Sequence, residues 1–223
     1  MNQNAYRRDF ILRLAATAAA LCALPAGAQG SKPAATQTIL VLGDSLSAEY
    51  GLARGTGWVA LLEARLAAQK LSTTVVNASI SGDTTSGGRA RLAALLQQHK
   101  PSVVVIELGG NDALRGLPLK NTEENLAWMT KAAQQAGAKV LLLGMQVPPN
   151  YGRTYGEKFA QIFATVAQQQ KAALVPFFLK GIADKANAAD AAALFQADRI
   201  HPRAEAHPQM LDNVWPALSK LLR

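Results

Sequence analysis

Five short apolar runs, at 38–42, 73–77, 102–108, 138–147 and 173–178, limit the fold more than any other feature of this chain. Each is rich in Val, Ile or Leu and lacks the polar alternation of a strand with one wet face. Such runs must be covered on both sides, as strands of a parallel sheet are. Between them, apolar residues recur at helical spacing over about 58–70, 85–98, 122–136 and 155–171. A last helix fits 204–222, broken or kinked near Pro208 and Pro216. Thr122 is placed to cap the start of the third helix and Gly137 to end it. This alternation predicts an α/β fold, a single doubly wound parallel sheet of five strands. No repeat or linker divides it.

The segment before the first run reads as an address. Arg7 and Arg8 precede an apolar stretch at 10–24, and Ala26-Gly27-Ala28 supplies a small-residue cleavage site. We expect a signal peptide at 1–28, of twin-arginine or ordinary secretory type, a short linker at 29–37, and a folded domain at 38–223. The expected location is the periplasm or the exterior, with no stable membrane insertion. The one cysteine, Cys22, falls within the signal, which excludes a disulfide scaffold and a zinc cluster. A formal charge of +8 raises the question of nucleic acid. The Lys and Arg residues of the body, however, occur singly and without aromatic interleaving, so no nucleic-acid partner is expected. The protein is expected to act as a monomer.

The chemistry gathers where ligands bind in open α/β sheets, beyond the carboxyl ends of the strands. The first run leads into Gly43-Asp44-Ser45-Leu46-Ser47, the second into Ser81-Gly82-Asp83-Thr84, and the third into Gly109-Gly110-Asn111-Asp112. After the fifth run and a short helical stretch comes Asp198-Arg199-Ile200-His201-Pro202. In a 2-1-3-4-5 strand order, the first and third of these loops flank the switch point. Their contents suit acyl transfer. Ser45 is the candidate nucleophile, His201 the base that takes its proton, and Asp198 the group that fixes the imidazole tautomer. Ser45 is expected where a strand turns into a helix, so that helix-start amides help to hold negative charge. The Ser45 and Gly82 amides and the Asn111 carboxamide form a candidate oxyanion hole. Gly82 is expected to lack a Cβ so that backbone and substrate can approach closely. Singly, each block is an ordinary cap or turn. All four in order, each behind a strand of one sheet, predict a catalytic cluster.

Other residues have blander readings. Glu107 is expected to be a carboxylate bonded to loop amides, and His99 to cap a helix end. His207 has no acid at triad spacing and is expected to pack or cap against the loop before it. Tyr151 and Tyr155 either line an acyl or aryl pocket or simply pack a loop.

These four blocks resemble those of the GDSL, or SGNH, hydrolases, over 38–222. Leu114-Arg115-Gly116 and Pro149-Asn150-Tyr151-Gly152 add a likeness to the bacterial periplasmic thioesterase I, lysophospholipase and arylesterase group. The resemblance implies a flavodoxin-like three-layer α/β/α sandwich and hydrolysis of esters and thioesters without metal or other cofactor. It implies Ser45 as nucleophile, Gly82 and Asn111 as oxyanion donors, and Asp198 and His201 as the rest of the triad. Glu49, where that group commonly has a small residue, and His207, where it often has Gln, depart from it. The expected substrates are small acyl esters or thioesters, lysophospholipids among them. The alternatives are a carbohydrate acetyl esterase and a periplasmic binding protein that keeps the site without turnover. A nucleotide-binding domain ranks last, because no Gly-x-Gly-x-x-Gly or Walker loop follows the first run.

Overall fold

A sheet of five parallel strands in the order β2-β1-β3-β4-β5 forms the centre of the computed structural model, which describes residues 37–185 and 187–223. The signal peptide expected at 1–28 lies outside the described residues. Of the linker expected at 29–37, only Gln37 is described, and it already belongs to β1. The strands are β1 (Gln37–Gly43), β2 (Thr73–Asn77), β3 (Val103–Glu107), β4 (Lys139–Leu143) and β5 (Ala173–Val175). Register follows directly from the pairings, with Val41 beside Asn77 on one side and Val105 on the other. β3 is buried along its whole length and the Ile39–Leu42 stretch of β1 is fully covered, which is why these runs carry no polar alternation.

Seven helices connect and cover the sheet among the described residues: α1 (Trp58–Ala68), α2 (Thr85–His99), α3 (Gly110–Leu114), α4 (Leu119–Gln135), α5 (Arg153–Gln170), α6 (Ala188–Ala193) and α7 (His207–Leu221). α1 packs on α7, while α2, α4 and α5 pack in succession, giving a helical layer on each face of the sheet. Trp58 at the start of α1 meets Phe178 edge-on at 5.5 Å, and Phe159 and Phe163 form a similar pair within α5. No described helix is long and apolar enough to cross a membrane.

Several local expectations change. β4 and β5 stop at Leu143 and Val175, short of the predicted ends; just beyond them the Gly144 amide donates to the Val175 carbonyl and the Gly144 carbonyl accepts from the Phe178 amide, one residue out of step with a regular ladder. α4 begins at Leu119 rather than Thr122; Thr122 is buried and turns its hydroxyl toward Asp112. Gly137 does follow the end of that helix, with φ +89°. α2 runs through His99, and Lys100 takes the left-handed capping position. α7 is unbroken: Pro208 sits in its first turn, where a missing N–H costs nothing, and the helix continues across Pro216. Residues Ala204–Ala206 form a separate 3-10 turn ahead of it. Ser45 does not stand at a strand–helix junction, since α1 starts only at Trp58. It lies in a tight turn instead, in which the Ser47 and Ala48 amides donate to the Asp44 carbonyl.

Candidate active site

The loops after β1 and β3 emerge side by side, because β1 pairs with β3 while β2 lies on the other edge of β1. Chain direction across the sheet reverses at this point, and the predicted residues meet there. Gly43 ends β1 at a crowded place: a Cβ there would stand 2.8 Å from the side chains of Ser47 and Ser79. His201 arrives from the far end of the chain on a loop closed at its base by a bridge between Phe195 and Pro202. Its Nε2 lies 2.8 Å from Ser45 Oγ and its Nδ1 2.6 Å from Asp198 Oδ2. Asp198 Oδ1 also accepts the amides of Ile200 and His201, at 2.9 and 3.0 Å. Partial burial pushes the Asp198 carboxyl up, but these amide bonds and the His201 ring overcome it and hold it at about 2. An ionised Asp198 fixes the Nδ1–H tautomer, leaving Nε2 as the acceptor that faces the serine.

Asn111 sits in the first turn of α3 and donates from Nδ2 to Asp44 Oδ2 at 3.0 Å, which turns its carboxamide and leaves a second amide hydrogen available. Gly82 has φ +79°, and a Cβ there would meet nothing closer than Arg115 at 3.5 Å. The need for glycine is therefore one of backbone conformation rather than of space within the protein. Arg115 donates to the Gly82 carbonyl at 2.7 Å. Ser45, Gly82 and Asn111 thus bring two backbone amides and one carboxamide to one end of the sheet, the kind of donor set that can hold an oxyanion.

Beneath this surface lie three buried carboxyls. Glu107 Oε2 accepts the Asp44 amide at 3.2 Å and the Ser47 hydroxyl at 2.8 Å, so its loop-amide role is met on one side. Burial raises Glu107 well above the ordinary carboxyl range, and the nearby Asp44 charge adds to it. Burial likewise raises Asp44 to about 6, against the pull of its hydrogen bonds. Asp112, also buried, receives the Thr85 amide at 2.9 Å and the Thr85 hydroxyl, tying α3 to the start of α2.

A cavity of about 480 Å³ opens beside the cluster. Gly110, the neighbour of Asn111, and Ile200, the neighbour of His201, form part of its wall, with Leu114, Val147, Phe177 and Phe195. Tyr151 and Tyr155 are not part of this lining. They stack on each other at 6.3 Å, and the Tyr155 hydroxyl donates to the Ala113 carbonyl at 3.4 Å.

The contacts of three residues at the site went unread in the sequence. Tyr50 lies with its ring 4.4 Å from that of His201, and Gln196 holds the Tyr50 carbonyl at 2.9 Å. Asp44 was visible within its motif, but its grip on Asn111 joins residues 67 apart and leaves no local signature. Glu49 adopts φ +58°, a left-handed conformation that favours a small residue, and offsets the strain by accepting the Gly55 and Gly57 amides at 3.0 and 2.8 Å. Among the described residues no group of His, Cys, Asp and Glu comes together that could hold a metal ion.

A parallel-sheet fold with a Ser–His–Asp cluster at its switch point defines a class of hydrolase, and residues 41–208 match the GDSL-like lipase/acylhydrolase family. The chain belongs to that family. It is 54% identical over 192 residues to esterase TesA of Pseudomonas aeruginosa, covering 86% of this chain and 92% of that protein. It is 42% identical over 181 residues to thioesterase 1/protease 1/lysophospholipase L1 of Escherichia coli K12, covering 81% and 83% of the two chains. A crystal structure of TesA, 55% identical, superposes with a TM-score of 0.78 and covers 83% of this chain and 99% of its own. The protein is an ester hydrolase of this family.

Proposed function

We propose that the protein cleaves acyl esters and thioesters through an acyl-enzyme on Ser45. The supporting observation is the contact of His201 with Ser45 Oγ on one ring nitrogen and with Asp198 on the other. Ser45 Oγ bonds to the substrate carbonyl carbon as its proton passes to His201 Nε2. The Ser45 and Gly82 amides and Asn111 Nδ2 hold the resulting oxyanion. Collapse expels the alcohol or thiol, which leaves with the proton from His201. Water then attacks the acyl-enzyme, His201 takes its proton, and the acid departs as Ser45 is reprotonated.

The wall of Leu114, Val147, Phe177, Phe195 and Ile200 favours an aliphatic or aryl acyl group over an acetylated sugar, which would leave that surface unfilled. Lysophospholipids fall within this class, and an E. coli relative carries lysophospholipase in its name. The N-terminal arginines, apolar stretch and Ala26-Gly27-Ala28 support action outside the cytoplasm. The test is turnover of p-nitrophenyl esters of increasing chain length, with fluorophosphonate labelling. Ser45→Ala is expected to abolish turnover and labelling with little change in thermal midpoint. Labelling at Ser47, or turnover that survives the substitution, would overturn the assignment.

A further inference from the structure

His207 stands outside the triad, yet it is buried to 2% exposure and its ring is tied to a distant part of the chain. Its Nδ1 accepts the Trp58 amide at 3.0 Å. The α1 N-cap, Gly57, has no side chain to offer, so a residue 149 positions away satisfies the first amide of that helix. The backbone of Pro202, the residue after His201, also acts on the ring and favours its protonated form, against the larger effect of burial. Proline has no N–H, so what it offers the ring is its carbonyl, and with Nδ1 accepting, Nε2 is the nitrogen able to donate to it. We infer that His207 is a positioning residue, a neutral imidazole that ties the start of α1 to the catalytic loop and so keeps His201 in register with Ser45.

The bridge continues in both directions. Trp58 Nε1 donates to Ser47 Oγ at 3.0 Å, Ser47 Oγ donates to Glu107 Oε2 at 2.8 Å, and the same oxygen accepts the Asp44 amide at 3.2 Å. A hydrogen-bonded path therefore runs from the His207 ring, five positions beyond Pro202, to the residue before Ser45. Ångström-scale misplacement of reacting groups is costly even when its cause lies away from the chemistry. The path works with only one form of His207. Protonation would put an N–H on Nδ1 against the Trp58 N–H, two donors facing each other. Burial disfavours that form, while the Glu49 carboxylate, in the loop before α1, opposes the effect. The other groups that face the ring are the uncharged Trp58 amide and Pro202 carbonyl. With its folded-state value lowered, the unfolded chain takes the proton first, so stability falls as pH drops below the ordinary histidine range.

This inference rests on the reading of His201 as the base, and the experiment separates the two. His207→Gln offers one acceptor and one donor without a titrating group; His207→Ala offers neither. For a p-nitrophenyl ester above neutral pH, His207→Ala should lower kcat by about tenfold to hundredfold with KM nearly unchanged. His207→Gln should restore kcat to within about threefold of wild type. Wild-type activity should fall with two protons at the acid end of its profile, the glutamine variant with one. Its thermal midpoint should also fall less on acidification. Unchanged kcat in His207→Ala, no rescue by His207→Gln, or superimposable acid limbs and melting profiles for His207→Gln and wild type would overturn the inference. If His207→Ala does not fold by circular dichroism, the comparison of His207→Gln with wild type decides alone. Turnover surviving in His201→Ala would remove the base assignment, leaving the melting comparison to judge the bridge.

Discussion

Asn111 and Glu107 illustrate two uses of a polar side chain: Asn111 in the proposed reading is aimed at substrate, Glu107 at the frame. Asn111 keeps an amide hydrogen beyond its bond to Asp44. If that hydrogen meets charge only as it develops, Asn111→Ala should lower kcat by about 10²–10³ and leave KM nearly alone. Steady-state kinetics separates this from a binding role, in which KM would carry the loss. Glu107 serves the frame, and its folded-state value is raised. A raised carboxyl contributes stability that is fully present below its unfolded value and is lost as pH rises through the folded one. Glu107→Gln keeps an acceptor for Ser47 and the Asp44 amide without the ionisation. Its thermal midpoint should therefore gain on the wild type as pH rises from the acid side, and parallel profiles would refute this. Glu107→Ala strands the Asp44 amide and the Ser47 hydroxyl and should cost about 1–3 kcal/mol for each group left unsatisfied, measurable by denaturant unfolding.

Among the elements, the short α3 shows how a five-residue helix can hold a functional group in place. Alone it would not persist, because helices this short do not repay their nucleation. Asp112 fastens it to the first turn of α2 through Thr85. Asp112→Ala should thus lower stability by about 1–3 kcal/mol for each stranded partner and reduce kcat as well, because the helix that carries Asn111 loosens. Unfolding curves and kinetics on the same preparation test both. The central strands and the four loops were legible because each is a local pattern: a run covered on both faces, or a Gly-rich turn just past it. The 2-1-3-4-5 order was a condition of that reading rather than a result of it, because pairing between strands leaves no local pattern; the sheet has that order. Element ends were less legible. Thr122 has the composition of a cap but faces Asp112, and Ser45 precedes a turn rather than a helix. The contacts of Tyr50 with His201 and of His207 with Trp58 span 149 or more positions and arise only from tertiary packing, so no spacing rule could reveal them.

Across the whole molecule, the cavity extends from the site to residues that follow β4 and β5 and to α6, and in the proposed reading its walls set the acyl groups the enzyme takes. Val147→Trp should fill part of it, lowering kcat/KM for long-chain p-nitrophenyl esters by about tenfold or more while sparing the acetate. Equal loss for every chain length would place the acyl group elsewhere. Ser45 and His201 lie 156 positions apart, and only the short 3-10 turn separates the loop that carries His201 from the last helix. Contacts of such long range form late, after the chain has met the entropy of closing so large a loop. Catalytic competence is therefore a property of the finished chain: a nascent polypeptide that already carries the serine holds no working enzyme, and its hydrolytic power begins when its final segment docks.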